Sequence, residues 1–107
     1  MTEELGAVEE ELVDRMFEAC EEVEVYARER WGESLDGVLC DAWEEKAVEV
    51  GLCDSRLLVD GVDIENVRRM LEKHGLAIKR VVIDIRAGDY IAEVKIRFHV
   101  ELAASAR

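Results

Sequence analysis

LAIKRVVIDIRAGDYIAEVKIRFHVEL, residues 76–102, decides the fold class of this chain. Tyr90, Ala92, Val94, Ile96, Phe98, Val100 and Leu102 alternate with mostly polar residues, the period of a strand with one buried face. Arg86-Ala87-Gly88-Asp89 carries a turn signal between this run and Leu76–Ile85. A four-residue turn there pairs Ile85 with Tyr90, Ile83 with Ala92 and Val81 with Val94. The apolar residues of both strands then share one face. The stretch reads as an antiparallel β-hairpin with Val81, Ile83, Tyr90, Ala92, Val94, Ile96 and Phe98 turned toward helices.

The same register fills the other face with Arg80 opposite Lys95, Arg97 opposite Ile78, and His99 near Leu76. Like charges facing each other across strands are unfavourable unless an anion or an acidic surface relieves them. Arg80, Lys95 and Arg97 are therefore candidate binding residues, for a phosphate-bearing ligand or an acidic protein partner. The competing reading is a solvated sheet face with splayed side chains.

Upstream, residues 63–75 spell a helix with Asp63 as N-cap, Lys73 and His74 at its negative end, and Gly75 just past it. Ile64, Val67, Met70 and Leu71 form its apolar stripe. Residues 54–62 fit either a short strand at Leu57–Asp60 or a short helix. With a helix there, residues 56–74 resemble a helix-turn-helix, with Gly61 in the turn and the 76–102 hairpin as a wing. That resemblance implies a winged-helix DNA-binding protein, with Arg68, Arg69 and Lys73 on the recognition helix and Arg86 at the wing tip. It is generic and covers under half of the chain.

Further toward the N-terminus, Leu5, Val8, Leu12, Met16, Cys20, Val23, Ala27 and Trp31 recur at steps of three and four, and Gly32 follows. Residues 2–31 read as one amphipathic helix about 45 Å long. A domain of this length spans about 30–35 Å. Such a helix either breaks or carries its apolar stripe beyond its own domain, a surface that a second copy would cover. Leu35, Val38, Leu39, Ala42, Trp43 and Val50 place a second helix over 35–50, with Lys46 laying its stem along the core. The expected architecture is one α+β domain over residues 1–107: two N-terminal helices, the first long, a third helix, and a C-terminal hairpin forming a two- or three-stranded antiparallel sheet.

Charge narrows the function. The 107 residues hold 26 acidic and 14 basic side chains, a net charge of −12. Residues 1–50 carry 17 acids against 4 bases, and residues 51–107 carry 9 against 10. An acidic field opposes general nucleic-acid binding and leaves room for a local basic patch. The chain has no Gln, one Asn (Asn66) and no Pro, a composition of heat-adapted proteins. No apolar run is long enough to cross a membrane. The acidic start, Met1-Thr2-Glu3-Glu4, is unlike a secretory signal, which points to the cytoplasm. There Cys20, Cys40 and Cys53 read as free thiols.

Nothing points to catalysis. His74 and His99 lie in different contexts, and no GxSxG, HExxH or phosphate-binding glycine loop occurs. Glu18…Glu21 and Glu33…Asp36 resemble the ExxE…ExxD metal-binding pattern of nucleotide pyrophosphohydrolases. So acidic a chain produces such spacings by chance, and a β-hairpin does not suit that all-helical family. The reading is a small non-enzymatic interaction module that self-associates as a homodimer or larger. It takes no metal or cofactor and no membrane, and winged-helix DNA binding is the alternative.

Overall fold

The computed structural model describes residues 2–53 and 59–104, with side chains from residue 9 onward. The elements are α1 (Thr2–Trp31), β1 (Leu35–Asp41), β2 (Ala47–Cys53), α2 (Gly61–Lys73), β3 (Leu76–Ala87) and β4 (Ala92–Leu102), with a 3-10 turn at Gly32–Ser34. The four strands form one antiparallel sheet in the order β1-β2-β4-β3, with β1 and β3 at its edges. The α+β class stands. The three-helix architecture does not: two α-helices are present among the described residues, and the sheet has four strands.

The overturned element is the helix expected over 35–50. Those residues form the β1–β2 hairpin, with Val38 opposite Val50 and Cys40 opposite Val48. Val38, Cys40, Val48, Val50 and Leu52 alternate toward the core. The three- and four-residue spacings that suggest a helix are incidental to this period of two. The turn hid the hairpin. Residues 42–46, Ala-Trp-Glu-Glu-Lys, contain no Gly, Pro or Asn and are mostly good helix formers. The chain reverses there with Lys46 at φ +47°, a conformation usually given to Gly or Asn. Asp41 supports the turn, its Oδ1 accepting from the Glu44 backbone N–H at 3.3 Å. Lys46 thus belongs to a turn rather than to a helix stripe.

The long N-terminal helix is unbroken, and the molecule is correspondingly elongated, 52 × 22 × 19 Å. Leu12, Met16, Ala19, Cys20, Val23, Ala27 and Trp31 are all buried against the sheet. Each fully buried side chain of this kind contributes roughly 1.5–3 kcal/mol. From Leu12 to Trp31 the stripe is therefore covered by its own domain. The ends of α1 and α2 are set by Gly32 at φ +49° and Gly75 at φ +79°. The N-cap of α2 is Asp60 rather than Asp63. Asp60 Oδ1 accepts from the N–H groups of Val62 and Asp63, and Asp63 Oδ2 accepts from the Asp60 N–H, a reciprocal capping box.

Cys20 on α1 and Cys40 on β1 form a disulfide with Cα atoms 6.3 Å apart, and Cys53 is free. The expectation of three free thiols is corrected accordingly. Twenty residues separate the pair in sequence, and only folding α1 onto β1 brings them together.

The C-terminal hairpin forms, but with a shifted register. Its pairs are Ala87–Ala92, Ile85–Val94, Ile83–Ile96 and Val81–Phe98. The turn sits two residues later, so each partner moves by four, an even shift that leaves the faces intact because side chains alternate with period two. It also replaces the expected like-charge contact: Asp84 now faces Lys95, and Arg86 faces Glu93. Tyr90 consequently lies in the connection and is 93 % exposed. A β-bulge between Ile78 and Arg80 then reverses the alternation. It turns Leu76 and Ile78 to the core side, opposite Leu102 and Val100, where Leu76 is fully buried.

Candidate functional site

The sheet separates the sequence-derived candidates. Both helices pack on one face. Lys95 and Arg97 alternate with the buried Val94, Ile96 and Phe98, so they lie on the other, outer face. Arg80 joins them through its pairing with His99. Arg68 and Arg69 sit on α2, across the sheet from these three. There they form helix-surface pairs with Glu72 at 2.9 Å and Glu65 at 3.7 Å. One surface cannot use all five residues together. The outer-face cations are also out of reach of the acidic helix of their own chain.

The register assigns neighbours on the outer face. One row crosses the strands as Asp41, Ala47, His99 and Arg80, the next as Leu39, Glu49, Arg97 and Val82, and the third as Gly37, Gly51, Lys95 and Asp84. Arg97 donates through Nε and Nη2 to Glu49 Oε2 at 3.0 and 2.6 Å. That hydrogen bond, more than any other effect, raises the Arg97 pKa further. The expected cluster of unrelieved cations is therefore relieved within the sheet for Arg97, while Lys95 faces Asp84.

The helix-turn-helix reading placed Gly61 between two helices. In the structure Gly61 is the first residue of α2, and the hairpin belongs to a four-stranded sheet. The strand-or-helix question at residues 54–58 lies outside the described residues. Among the described residues, no group of three or more His, Cys, Asp or Glu side chains is arranged to hold a metal ion.

Two surfaces not anticipated from sequence emerge. The first is the edge of β3. Beyond the bulge, Val81, Val82, Ile83 and Ile85 are 37, 40, 46 and 60 % exposed, and Ile91 is half exposed beside them. Val81, Ile83 and Ile85 lie on the core side of the sheet, yet the helices leave them partly open. No described strand pairs with this edge.

The second is a cleft of about 510 Å³ where the β1–β2 turn meets the bulge, lined by Glu44, Glu45, Lys46, Lys79, Arg80, His99 and Val100. His99 is 9 % exposed. Its Nδ1 lies 3.3 Å from the Glu45 carbonyl oxygen, and the Val100 N–H donates to the Lys46 carbonyl at 2.9 Å. Residues from three strand neighbourhoods converge here. The only sequence hint was a shared alternation parity, which says nothing about residues 44–46. Comparison of the chain with protein-family models, with curated proteins and with solved structures finds no match.

Proposed function

We propose that this protein is a non-enzymatic interaction module that associates with a second copy of itself through the open edge of β3. The exposed run Val81, Val82, Ile83 and Ile85 on a strand with one free side carries this reading. Such an edge is a template for another strand unless charge, proline or a bulge blunts it. Here the bulge and the cations Lys79 and Arg80 guard only the start of the strand.

Charge favours a copy of this chain as the occupant. β3 holds Lys79, Arg80 and Arg86 against Asp84, so it is locally basic in a chain of net charge −12. Antiparallel pairing of two β3 strands about Val82 sets Arg80 across from the partner's Asp84 twice. The same register sets Val81 across from the partner's Ile83. Pairing about Ile83 would oppose Arg80 and Arg86, and pairing about Asp84 would oppose two aspartates. One register therefore joins apolar contact with opposite charges.

The acidic remainder resists association. Two point charges of −12 about 20 Å apart, four strand spacings, repel by roughly 30 kcal/mol in salt-free water and by about 4 kcal/mol at 0.1 M salt. Association through β3 is thus expected to tighten with salt. The compartment we assign is the cytoplasm of a heat-adapted cell, where the Cys20–Cys40 disulfide is tolerated.

Sedimentation equilibrium at micromolar concentration across a salt series tests the reading. The expected mass rises from 12.2 kDa toward twice that value as salt increases. Ile83→Lys should hold the mass at 12.2 kDa without changing the thermal melt. A wild-type mass that stays monomeric at every salt concentration overturns the proposal. So does a dimer indifferent to Ile83→Lys.

A further inference from the structure

We infer that the cleft between the β1–β2 turn and the β3 bulge binds a tetrahedral oxyanion of the phosphate class. Three cationic side chains line it: Lys46, Lys79 and Arg80. Among the described residues none of the three forms an ion pair, although acids outnumber bases nearly two to one in the chain. Exposed cations alone would be a solvated surface. The buried imidazole of His99 makes this a built site.

A carbonyl oxygen only accepts, so the 3.3 Å contact commits His99 Nδ1 to donating its proton to Glu45. The second ring nitrogen, Nε2, has no hydrogen-bond partner among the described residues, on a side chain whose residue is 9 % exposed. A polar atom on so little exposed a side chain ordinarily has a partner. The backbone points the same way. Lys46 holds a left-handed conformation at φ +47°, and Lys79 is the extra residue of the bulge. Bulges and strained non-glycine residues cluster at functional sites, where they re-aim side chains.

The acids at the cleft are accounted for. Glu45 Oε2 lies 3.9 Å from Arg97 Nη1, toward the neighbouring row. Glu44 is exposed on the turn. The lining side chains sum to one positive charge with His99 neutral and two with it protonated. Around His99, β1 and β4 add Asp41, Arg97 and Glu101 to the groups already named. With Nδ1–H engaged, neutral His99 presents a bare lone pair at Nε2. A phosphate monoanion can supply a P–OH proton to that lone pair. Sulfate has no such proton to give at neutral pH.

Titration of the protein followed by amide NMR tests the site, with inorganic phosphate in one arm and phenyl phosphate in a second. Saturable shifts centred on Lys46, Arg80 and Val100 are expected, with a Kd of about 1 mM or tighter. Equal affinity in the two arms identifies the free anion as the ligand, and tighter binding of the ester identifies a phosphomonoester. Sulfate, with no proton to give, should bind more weakly than phosphate at neutral pH. In His99→Gln, whose amide can donate, the preference for phosphate over sulfate should be lost.

Lys46→Gly suits the left-handed turn and removes one cation. It should weaken phosphate binding at least about tenfold, by the loss of one close charge, with an unchanged or higher melting temperature. Arg28→Ala, on α1, should leave binding unaltered. Arg80 also faces the partner's Asp84 in the paired edge, whereas Lys46 and His99 belong to the cleft alone, so their variants separate this site from self-association. Non-saturating shifts, or equal affinity in wild type and Lys46→Gly, overturn the inference.

Discussion

Arg30 at the end of α1 donates to Asp63 in the first turn of α2, Nε to Oδ1 at 2.8 Å and Nη2 to Oδ2 at 3.4 Å. Asp63 is only 3 % exposed, and it also accepts from Tyr26 OH at 2.9 Å and from the Asp60 N–H at 3.1 Å. Tyr26 in turn accepts from Asn66 Nδ2 at 3.1 Å and packs edge-on against Trp31. One carboxylate therefore fixes the end of one helix to the start of the other and completes the capping box.

This arrangement sets an acid limit on stability. Burial pushes the Asp63 pKa up, but the hydrogen bonds from Arg30, the Asp60 backbone and Tyr26, with the Arg30 charge, outweigh it, and the net shift is downward from 3.8. A carboxylate with a lowered folded pKa adds stability that is complete above its ordinary value and is lost as pH falls through the folded one. Asp63→Asn sets an amide NH2 against the Arg30 guanidinium in either orientation and should cost about 1–3 kcal/mol at neutral pH. Urea denaturation from neutral to strongly acidic pH should show the gap between wild type and variant closing only below pH 3.8. A gap constant down to pH 2 would mean that the Asp63 charge contributes nothing.

Phe98 and Tyr90 distinguish the observed register from the one expected from the turn signal. Phe98 is fully buried and Tyr90 is 93 % exposed. Phe98→Ala should cost about 3–5 kcal/mol. Tyr90→Ala should stay within about 0.5 kcal/mol of wild type. Chemical denaturation of both variants measures the difference, and comparable losses would restore the unshifted pairing.

The Cys20–Cys40 disulfide closes a short loop between α1 and β1. Loop-closure entropy assigns such a bridge about 3 kcal/mol. Denaturation with and without reductant should differ by that order. Thiol titration of the unreduced, unfolded protein should find only one of the three cysteines, Cys53. Three titrating thiols would remove the bridge.

Much of the fold is legible where a period is sustained. α1 and α2 follow from their apolar stripes, and the C-terminal strands from alternation at Tyr90–Leu102. The β1–β2 hairpin is illegible because its turn, Ala42–Lys46, uses helix formers and places a lysine where glycine would announce a reversal. The candidate site is half legible. Alternation puts Lys95 and Arg97 on one face, but Asp84 beside Lys95 depends on a pairing that the turn signal misplaces by four residues, and Glu49 beside Arg97 depends on the pairing of β2 with β4. His99 and Lys46 meet only through pairing of β2 with β4, which no local pattern encodes.

The bridge between α1 and β1 has a mechanical side. Twenty residues separate Cys20 from Cys40, a segment of roughly 70 Å when fully stretched. A load drawn through the chain from end to end, as by an unfolding motor gripping one terminus, passes across that bond and leaves the segment slack. The α1–β1 connection then cannot be pulled straight, and the yielding parts are the pairing of β2 with β4 and of β4 with β3. Oxidised and reduced molecules would differ in reach by most of that length, so a single redox event sets how much thread the protein can pay out under tension.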